Sequence, residues 1–163
     1  MQWLNQPQKF CTSPTGLQMT AEPDTDFWRV THYGFIRDNG HLYHTKKKGI
    51  LKLASRMNNE HWIKTGIEYV DEMQNVSAVV THKTSDWSVV SVNQSNTHDS
   101  IWLKLLRKDD YVEIKYSFDG QLFQLLRLAS FEPAVEVMIG MYGAAPGKLP
   151  FDVTFEEFKV VSV

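Results

Sequence analysis

Apolar and polar residues alternate along much of this chain with a period of two, the spacing expected of β-strands with one buried and one wet face. Within 111–118 the apolar positions are Val112, Ile114, Tyr116 and Phe118, and the positions between them are Tyr111, Glu113, Lys115 and Ser117. Similar runs predict strands at 76–82, 87–92, 101–107, 122–129, 135–142 and 151–161, the last with Phe151, Val153 and Phe155 facing inward. No stretch shows the period of an amphipathic helix. The pattern therefore predicts an all-β protein.

Two turn signals separate these runs. Asn39-Gly40 and Asp119-Gly120 favour type I′ turns, in which both central residues take positive φ, so each pair is predicted to lie at a hairpin tip. Short strands joined at this spacing are typical of a β-sandwich or jelly roll. The chain has no internal repeat, low-complexity linker or change in composition, so residues 1–163 are predicted to form a single domain.

Composition excludes several classes of protein. With 163 residues and 42% hydrophobic content, the chain can bury a two-layer core. A net charge of −2 favours neither nucleic acid nor anionic lipid as a partner, and no apolar run is long enough to cross a bilayer. The single cysteine, Cys11, excludes an internal disulfide and is expected to be a small buried hydrophobe. The first residues show no secretion signal, so the expected location is the cytoplasm.

The segment 61–70 carries the most informative functional pattern. On a strand, Trp62, Lys64 and Glu68 share one face, and Gly66 leaves space there for a ligand. The opposite face, predicted to enter the core, carries Ile63, Ile67 and Tyr69. An aromatic ring, a cation and a carboxylate on one wet, concave face suit a polar ligand, but the same residues also suit a solvated surface with a Lys–Glu pair. The sequence leaves both interpretations open.

Sugars are bound by aromatic rings that stack on their apolar faces and by charged or amide groups that bond their hydroxyls. Residues of both types make up the candidate ligand site: Trp62, Lys64, Glu68, Asp86, Trp87 and Arg127. Structural alternatives exist, since Asp86 could cap a turn and Arg127 could belong to a partly buried ion pair. Trp28 and Trp102 are expected in the core. Because Trp and Arg also dominate protein interfaces, a module that binds another protein competes with the saccharide interpretation.

The spacing of acidic and metal-ligating residues argues against catalysis. Retaining glycosidases need two carboxylates about 5 Å apart, and the Glu-x-Asp-x-x-Glu strand of jelly-roll glucanases is absent. Glu156 and Glu157 are neighbours that diverge on a strand, and strand geometry likewise separates His41 from His44. We therefore expect no enzymatic activity, no metal and no cofactor. Glycoside hydrolysis ranks behind binding of a sugar or of another protein as a function.

Six motifs occur in a recognisable order along nearly the whole chain. They are Asp-Phe-Trp-Arg at 26–29, Asn-Gly-His at 39–41, Trp-Ile-Lys-Thr-Gly-Ile-Glu at 62–68, Ser-Asp-Trp-Ser at 85–88, Tyr-Ser-Phe-Asp-Gly at 116–120 and Leu-Arg at 126–127. This set resembles the regulation-of-enolase family, whose members have a concanavalin A-like lectin and glucanase jelly roll. The resemblance implies a sandwich of two antiparallel sheets and a cytoplasmic, non-enzymatic protein that regulates a glycolytic enzyme. It implies no catalytic residues.

The chain departs from that family at one place. Family members usually carry a further strand, a loop and an Asp-Gln-Ala-Gly motif before the strand that begins at Trp62, whereas here 48–53 runs almost directly into it. A missing central strand would leave ladder groups unpaired. We therefore interpret the difference as a segment omitted between Gly49 and Ile50 rather than as a real deletion.

Overall fold

The computed structural model describes residues 2–3, 6–14, 16–25, 33–37, 45–46, 50–58, 60–70, 73–92, 98–133 and 136–161, and within these ranges no residue is helical. The strands are β1 (Gln2–Trp3), β2 (Phe10–Ser13), β3 (Gly16–Ala21), β4 (Tyr33–Arg37), β5 (Thr45–Lys46), β6 (Ile50–Arg56), β7 (His61–Val70), β8 (Met73–His82), β9 (Thr84–Ser91), β10 (Ser100–Lys108), β11 (Tyr111–Ser117), β12 (Gln124–Ser130), β13 (Val137–Ala144) and β14 (Phe151–Glu156). The all-β prediction is confirmed.

The strands form two seven-stranded sheets. The first has the order β1-β4-β13-β6-β7-β8-β9, and the second has the order β12-β11-β10-β5-β14-β3-β2. Neighbouring strands pair antiparallel in both sheets, as the predicted jelly-roll sandwich requires. We call the surface of the first sheet that points away from the second the front face. The surface of the second sheet that points away from the first is the back face.

The hydrophobic core lies between the two sheets. Strand alternation supplies it, because every second residue of β10 and β11 is buried, as are Val153 and Phe155 of β14. Ile63 of β7, Ile114 of β11 and Phe155 of β14 have no exposed surface. Val112 and Tyr116 are buried as predicted, and Phe118 packs against the cluster from its edge. Apolar burial on both inner faces is the main favourable term holding the sheets together.

The hairpin tip at Asp119-Gly120 is present, but the predicted type I′ turn is wrong. Residues 118–123 connect β11 to β12, and among them only Gly120 has a positive φ, of 73°. The Asp119 carboxylate explains this longer loop, since it accepts hydrogen bonds from the backbone N–H groups of Gln121 and Leu122 at 2.8 and 2.9 Å. These bonds and one with the Ser117 hydroxyl lower the pKa of Asp119 to about 2. The other predicted tip, Asn39-Gly40, lies outside the described residues.

Two strand ends differ from the prediction. The final strand was expected over 151–161, but β14 ends at Glu156 because Glu157 has a positive φ of 54°, which is incompatible with a strand. β13 continues past the predicted end at 142 to Ala144, and a parallel bridge between Pro23 and Ala145 follows it. The glycine-rich run that starts at Gly140 is therefore a strand that leads into a turn.

The predicted omission beside Ile50 lies partly outside the described residues, which exclude 47–49. β5 joins β10 to β14 through Thr45 and Lys46, and β6 begins at Ile50. The omission stays a prediction, as does the assignment of 1–163 to a single domain.

Cys11 lies on β2, the edge strand of the second sheet, and it is exposed. The expectation that it is a small buried hydrophobe was therefore wrong, because an edge strand whose four residues are all exposed buries no side chain. In the part of the chain that the structure describes, no helix is long and apolar enough to span a membrane.

Candidate functional site

The sequence assigned six residues of β7 to one of two faces, and the structure confirms this assignment for five of them. Ile63 and Ile67 belong to the core between the sheets, and Trp62, Lys64 and Glu68 lie on the opposite, front face because strand parity separates the two sets. Tyr69 is the exception. It is exposed near the end of the strand, where its hydroxyl accepts a hydrogen bond of 3.2 Å from Nε2 of Gln74, so it does not enter the core.

The expectation that this front face is wet was wrong. The exposed fractions of Trp62, Lys64 and Glu68 are only 4%, 5% and 9%. Trp62 packs in a second apolar cluster with Val79, Tyr142 and Ala144. The ammonium group of Lys64 lies 5.7 Å from the centroid of the Trp62 ring, a cation–π distance. Charges that alternation alone would have left in water are therefore buried, and that of Lys64 lies beside an aromatic ring.

Strand register arranges the front face of β7, β8 and β9 in four transverse rows. From one end to the other, the rows are Trp62–Thr81–Ser85, Lys64–Val79–Trp87, Gly66–Ser77–Val89 and Glu68–Asn75–Ser91. Two of the rows hold polar pairs. The hydroxyls of Thr81 and Ser85 are 2.8 Å apart, and the Ser91 hydroxyl donates to Asn75 Oδ1 over 2.8 Å. Polar groups therefore occupy both ends of this face.

Trp87 links two of these rows. It lies on the edge strand β9, and its indole N–H donates a 3.1 Å hydrogen bond to Oε2 of Glu68 on β7. The two side chains meet across β8. Trp87 belongs to the second row and Glu68 to the fourth, so the row of Gly66 and Ser77 lies between them. Even so, 52% of Trp87 is exposed. The carboxylate therefore fixes the orientation of an indole ring that presents much of its surface to solvent.

Gly66 and Ser77 form the floor of this arrangement. Gly66 has no side chain, and its register partner Ser77 has no exposed surface. The Ser77 hydroxyl has no hydrogen-bond partner, whereas its backbone carbonyl accepts a bond of 2.9 Å from the Thr65 hydroxyl. A buried hydroxyl without a partner is uncommon and costs about 1–3 kcal/mol. Ser77 lies in the row between those of Trp87 and Glu68.

Asp86 and Arg127 do not belong to the front face. Asp86 follows strand parity to the opposite side of β9 from Trp87, and Arg127 of β12 reaches it across the gap between the sheets. Nη2 of Arg127 lies 2.6 Å from Oδ2 of Asp86, and Nη1 donates to the Ser88 hydroxyl. The hydrogen bond and the charge of Arg127 lower the pKa of Asp86. The prediction that Arg127 lies near Trp62 was wrong, and the ion-pair alternative describes it correctly.

Acidic side chains are sparse on the front face of β7, β8 and β9. Along 61–70, 73–82 and 84–91, Glu68 is the one acidic residue whose side chain lies there. A retaining glycosidase would need a second carboxylate about 5 Å away. Among the described residues, no group of three or more His, Cys, Asp or Glu side chains could hold a metal ion. The predicted pair His41 and His44, and Trp28, lie outside the described residues.

Ser77 and Asn75 were not among the predicted ligand-binding residues. β8 reads as an almost uniformly buried strand, and its register with β7 is what places these two polar residues opposite Gly66 and Glu68. The available signal was alternation in 75–81, where Asn75, Ser77 and Thr81 share one face. Trp102, which was expected in the core, instead lies half-buried on the outward side of β10.

The sequence of the chain matches a protein family and a yeast protein. The family described as protein of unknown function DUF1349 matches residues 3–58 and 51–163. The chain is 29% identical to "Regulation of enolase protein 1" of Saccharomyces cerevisiae over 177 aligned positions, which cover 98% of this chain and 88% of that protein. This alignment is longer than the 163 residues of the chain, so the yeast protein carries residues that this chain lacks.

Solved structures share the fold. A functionally unknown protein from Saccharomyces cerevisiae superposes with a TM-score of 0.87 at 24% identity, over 99% of this chain and 96% of that one. Carbohydrate-binding module CBM66 from Bacillus subtilis superposes with a TM-score of 0.61 at 11% identity, over 99% and 94% of the two chains. The fold also occurs as part of glycoside hydrolases. At these identities the likeness establishes the fold alone.

Proposed function

Because the chain belongs to the DUF1349 family and a relative is named for regulation of enolase, we propose that it is a non-catalytic regulatory protein of carbohydrate metabolism that binds a saccharide on the front face. The observation that carries the saccharide part is the Trp87 indole, half-exposed and held by Glu68 beside Gly66. An aromatic ring fixed in orientation stacks on the apolar face of a sugar at little entropic cost.

Polar groups around Trp87 complete the proposed site. Glu68 places a carboxylate beside the exposed Trp87 ring, and the buried Ser77 hydroxyl gains a partner when a ligand group enters over Gly66. Lys64 adds a cation beside the Trp62 ring. Trp62 stabilises the site by packing in the apolar cluster and does not contact the sugar.

Asp86 and Arg127 serve the same site as positioning residues. Their ion pair holds β9 against β12, and β9 is the strand that carries Trp87. We propose no direct contact between the sugar and Asp86 or Arg127.

The regulatory part rests on the relative named "Regulation of enolase protein 1". We propose a glycolytic enzyme as the protein partner and the cytoplasm as the location, the compartment in which a chain with a single, exposed cysteine stays reduced. We also propose that the protein is not an enzyme, because Glu68 has no acidic companion on the described part of the front face.

The saccharide proposal is tested by calorimetry and thermal shift with a panel of monosaccharides, oligosaccharides and phosphorylated sugars. We expect at least one to bind, and Trp87→Ala to weaken that binding at least tenfold, which is about 1.4 kcal/mol. Glu68→Gln keeps the shape but removes the charge, and should weaken binding by a smaller factor. Trp102→Phe, on the back face, is the matched control and should leave affinity unchanged. Absence of binding, or binding that Trp87→Ala leaves intact, would overturn the site.

Two further measurements test the other parts. Enolase turnover with and without the protein tests regulation, and an unchanged rate at saturating protein would contradict it. Release of reducing sugar from β-glucans tests the non-enzymatic assignment. Turnover that disappears in Glu68→Gln would show that the front face is catalytic.

A further inference from the structure

The back face of the second sheet carries an exposed apolar surface that the proposed sugar site does not use. Leu125 and Leu128 of the edge strand β12 are 58% and 60% exposed, although both are large aliphatic residues. Leu106 of β10 lies in the same row as Leu128, through Glu113 of β11. Phe123, which immediately precedes β12, has its ring centroid 5.9 Å from the ammonium nitrogen of Lys104. We call Leu106, Phe123, Leu125 and Leu128 the back-face patch.

Register explains how two leucines three residues apart share this face. β12 has an irregularity at Leu126, where Arg127 pairs with Ile114 and Leu125 pairs with Lys115. The extra residue reverses the parity of the strand, so Leu125 and Leu128 both point outward while Arg127 points towards Asp86. The same bulge interrupts the free edge of β12. Pairing with a further strand is disfavoured there, and side-chain contact with the face is favoured.

Charge on this face indicates what would cover it. Lys104 and Lys115 lie in one row with Leu125, and the ammonium group of Lys115 is 2.5 Å from the carboxylate of Glu113. Lys104, Lys115 and Glu113 together leave these rows with a formal charge of +1, on a chain whose net charge is −2. A second copy would set this positive balance against itself, which is unfavourable. A partner with carboxylates beside apolar side chains meets no such repulsion.

We propose that the back-face patch docks a segment of a partner protein that combines large apolar side chains with Asp or Glu. This proposal deepens the regulatory part of the proposed function, which supplies the expectation of a protein partner. It does not depend on sugar binding, because the patch and the front face lie on different sheets. Contiguous apolar groups on a soluble protein surface commonly mark such interaction sites.

The test selects random short peptides displayed on phage against the protein of residues 1–163, and measures the affinity of the enriched peptides by calorimetry. We expect enriched peptides to combine Leu, Phe or Trp with Asp or Glu. The double variant Leu125→Glu/Leu128→Glu should bind them at least tenfold more weakly, about 1.4 kcal/mol, and Lys104→Glu should also weaken binding. Leu149→Glu is the matched control, since Leu149 is exposed outside the patch, and should leave affinity unchanged.

Other outcomes would overturn this assignment. Peptides that bind the double variant as well as the unaltered protein would place docking elsewhere. Self-association in analytical ultracentrifugation that the double variant abolishes would assign the patch to a second copy of the chain. Flotation with vesicles of phosphatidylcholine and phosphatidylserine would assign it to a lipid surface. Sugar affinity of the double variant, measured in parallel, separates failure here from failure of the front-face site, because the two sites are expected to be independent.

Discussion

Replacing Trp62 by alanine distinguishes a packed tryptophan from a ligand contact. Trp62 is 4% exposed and packs with Val79, Tyr142 and Ala144. Burying a tryptophan removes about 200 Å² from water, worth about 5 kcal/mol at about 25 cal/mol per Å². Core Trp-to-Ala changes cost about 3–5 kcal/mol. We therefore expect Trp62→Ala to lower the free energy of unfolding by about 3–5 kcal/mol, a large share of the about 5–15 kcal/mol of a typical domain.

The assay is urea denaturation followed by circular dichroism, with the slope of the free energy against urea as a check on two-state behaviour. The melting temperature should fall by about 6–20 °C, at about 2–4 °C per kcal/mol for a chain of this size. Trp87→Ala is the matched control. Trp87 is 52% exposed, so its removal should cost only about half the area term, about 2.5 kcal/mol.

A loss below about 1 kcal/mol for Trp62→Ala would show that the cluster does not stabilise the fold and would refute the burial argument. A wet front face predicts that small loss, together with abolished sugar binding. Trp62→Phe supplies a second readout. It keeps an aromatic side chain in the cluster, so the folded protein should retain sugar binding.

Two further perturbations have defined outcomes. Gly120→Ala should destabilise the protein by about 1–2 kcal/mol or more in urea denaturation, because φ is 73° there and the new Cβ would lie 2.7 Å from the Trp102 ring. Gly147→Ala is the control, since a Cβ added there would meet open space. Equal losses of stability in the two variants would contradict the argument. Because the pKa of Asp86 is lowered in the folded protein, its pairing with Arg127 stabilises the fold at pH values above the ordinary carboxyl pKa. This stability is lost as the pH falls through the lowered pKa of the folded protein and Asp86 becomes protonated. Asp86→Asn should therefore reduce the acid-side loss of stability in melts between neutral and strongly acidic pH, and an unchanged profile would show that the pair contributes nothing.

Local patterns were sufficient to predict the strands. The inward set Val112, Ile114 and Tyr116 followed from period-two alternation and is buried as expected. Strand ends were less predictable, because positive φ at Glu157 ends β14 in a run that still alternates. The turn at Gly120 was located correctly but assigned the wrong type, since the side-chain bonds of Asp119 to the following backbone decide its geometry and composition does not show them.

The candidate site was predictable only within one strand. Parity along β7 placed Trp62, Lys64 and Glu68 together, but burial of that face depends on packing between different strands. The partnership of Glu68 with Trp87 depends on the register across β8, and that of Arg127 with Asp86 depends on which edges of the two sheets meet. Both are long-range properties that a single sequence does not encode in its local pattern. The ligand role of these residues stays a prediction.

The position of β9 has an evolutionary consequence. Asp86 and Trp87 are adjacent in sequence and serve opposite faces, one bound to β12 and the other to Glu68. Inserting or deleting one residue between Lys83, whose φ of 64° forms the turn from β8, and Asp86 would exchange the two faces. Both contacts would be lost at once, whereas many single substitutions would spare one of them. Selection should therefore tolerate changes of residue in this segment more readily than changes in its length.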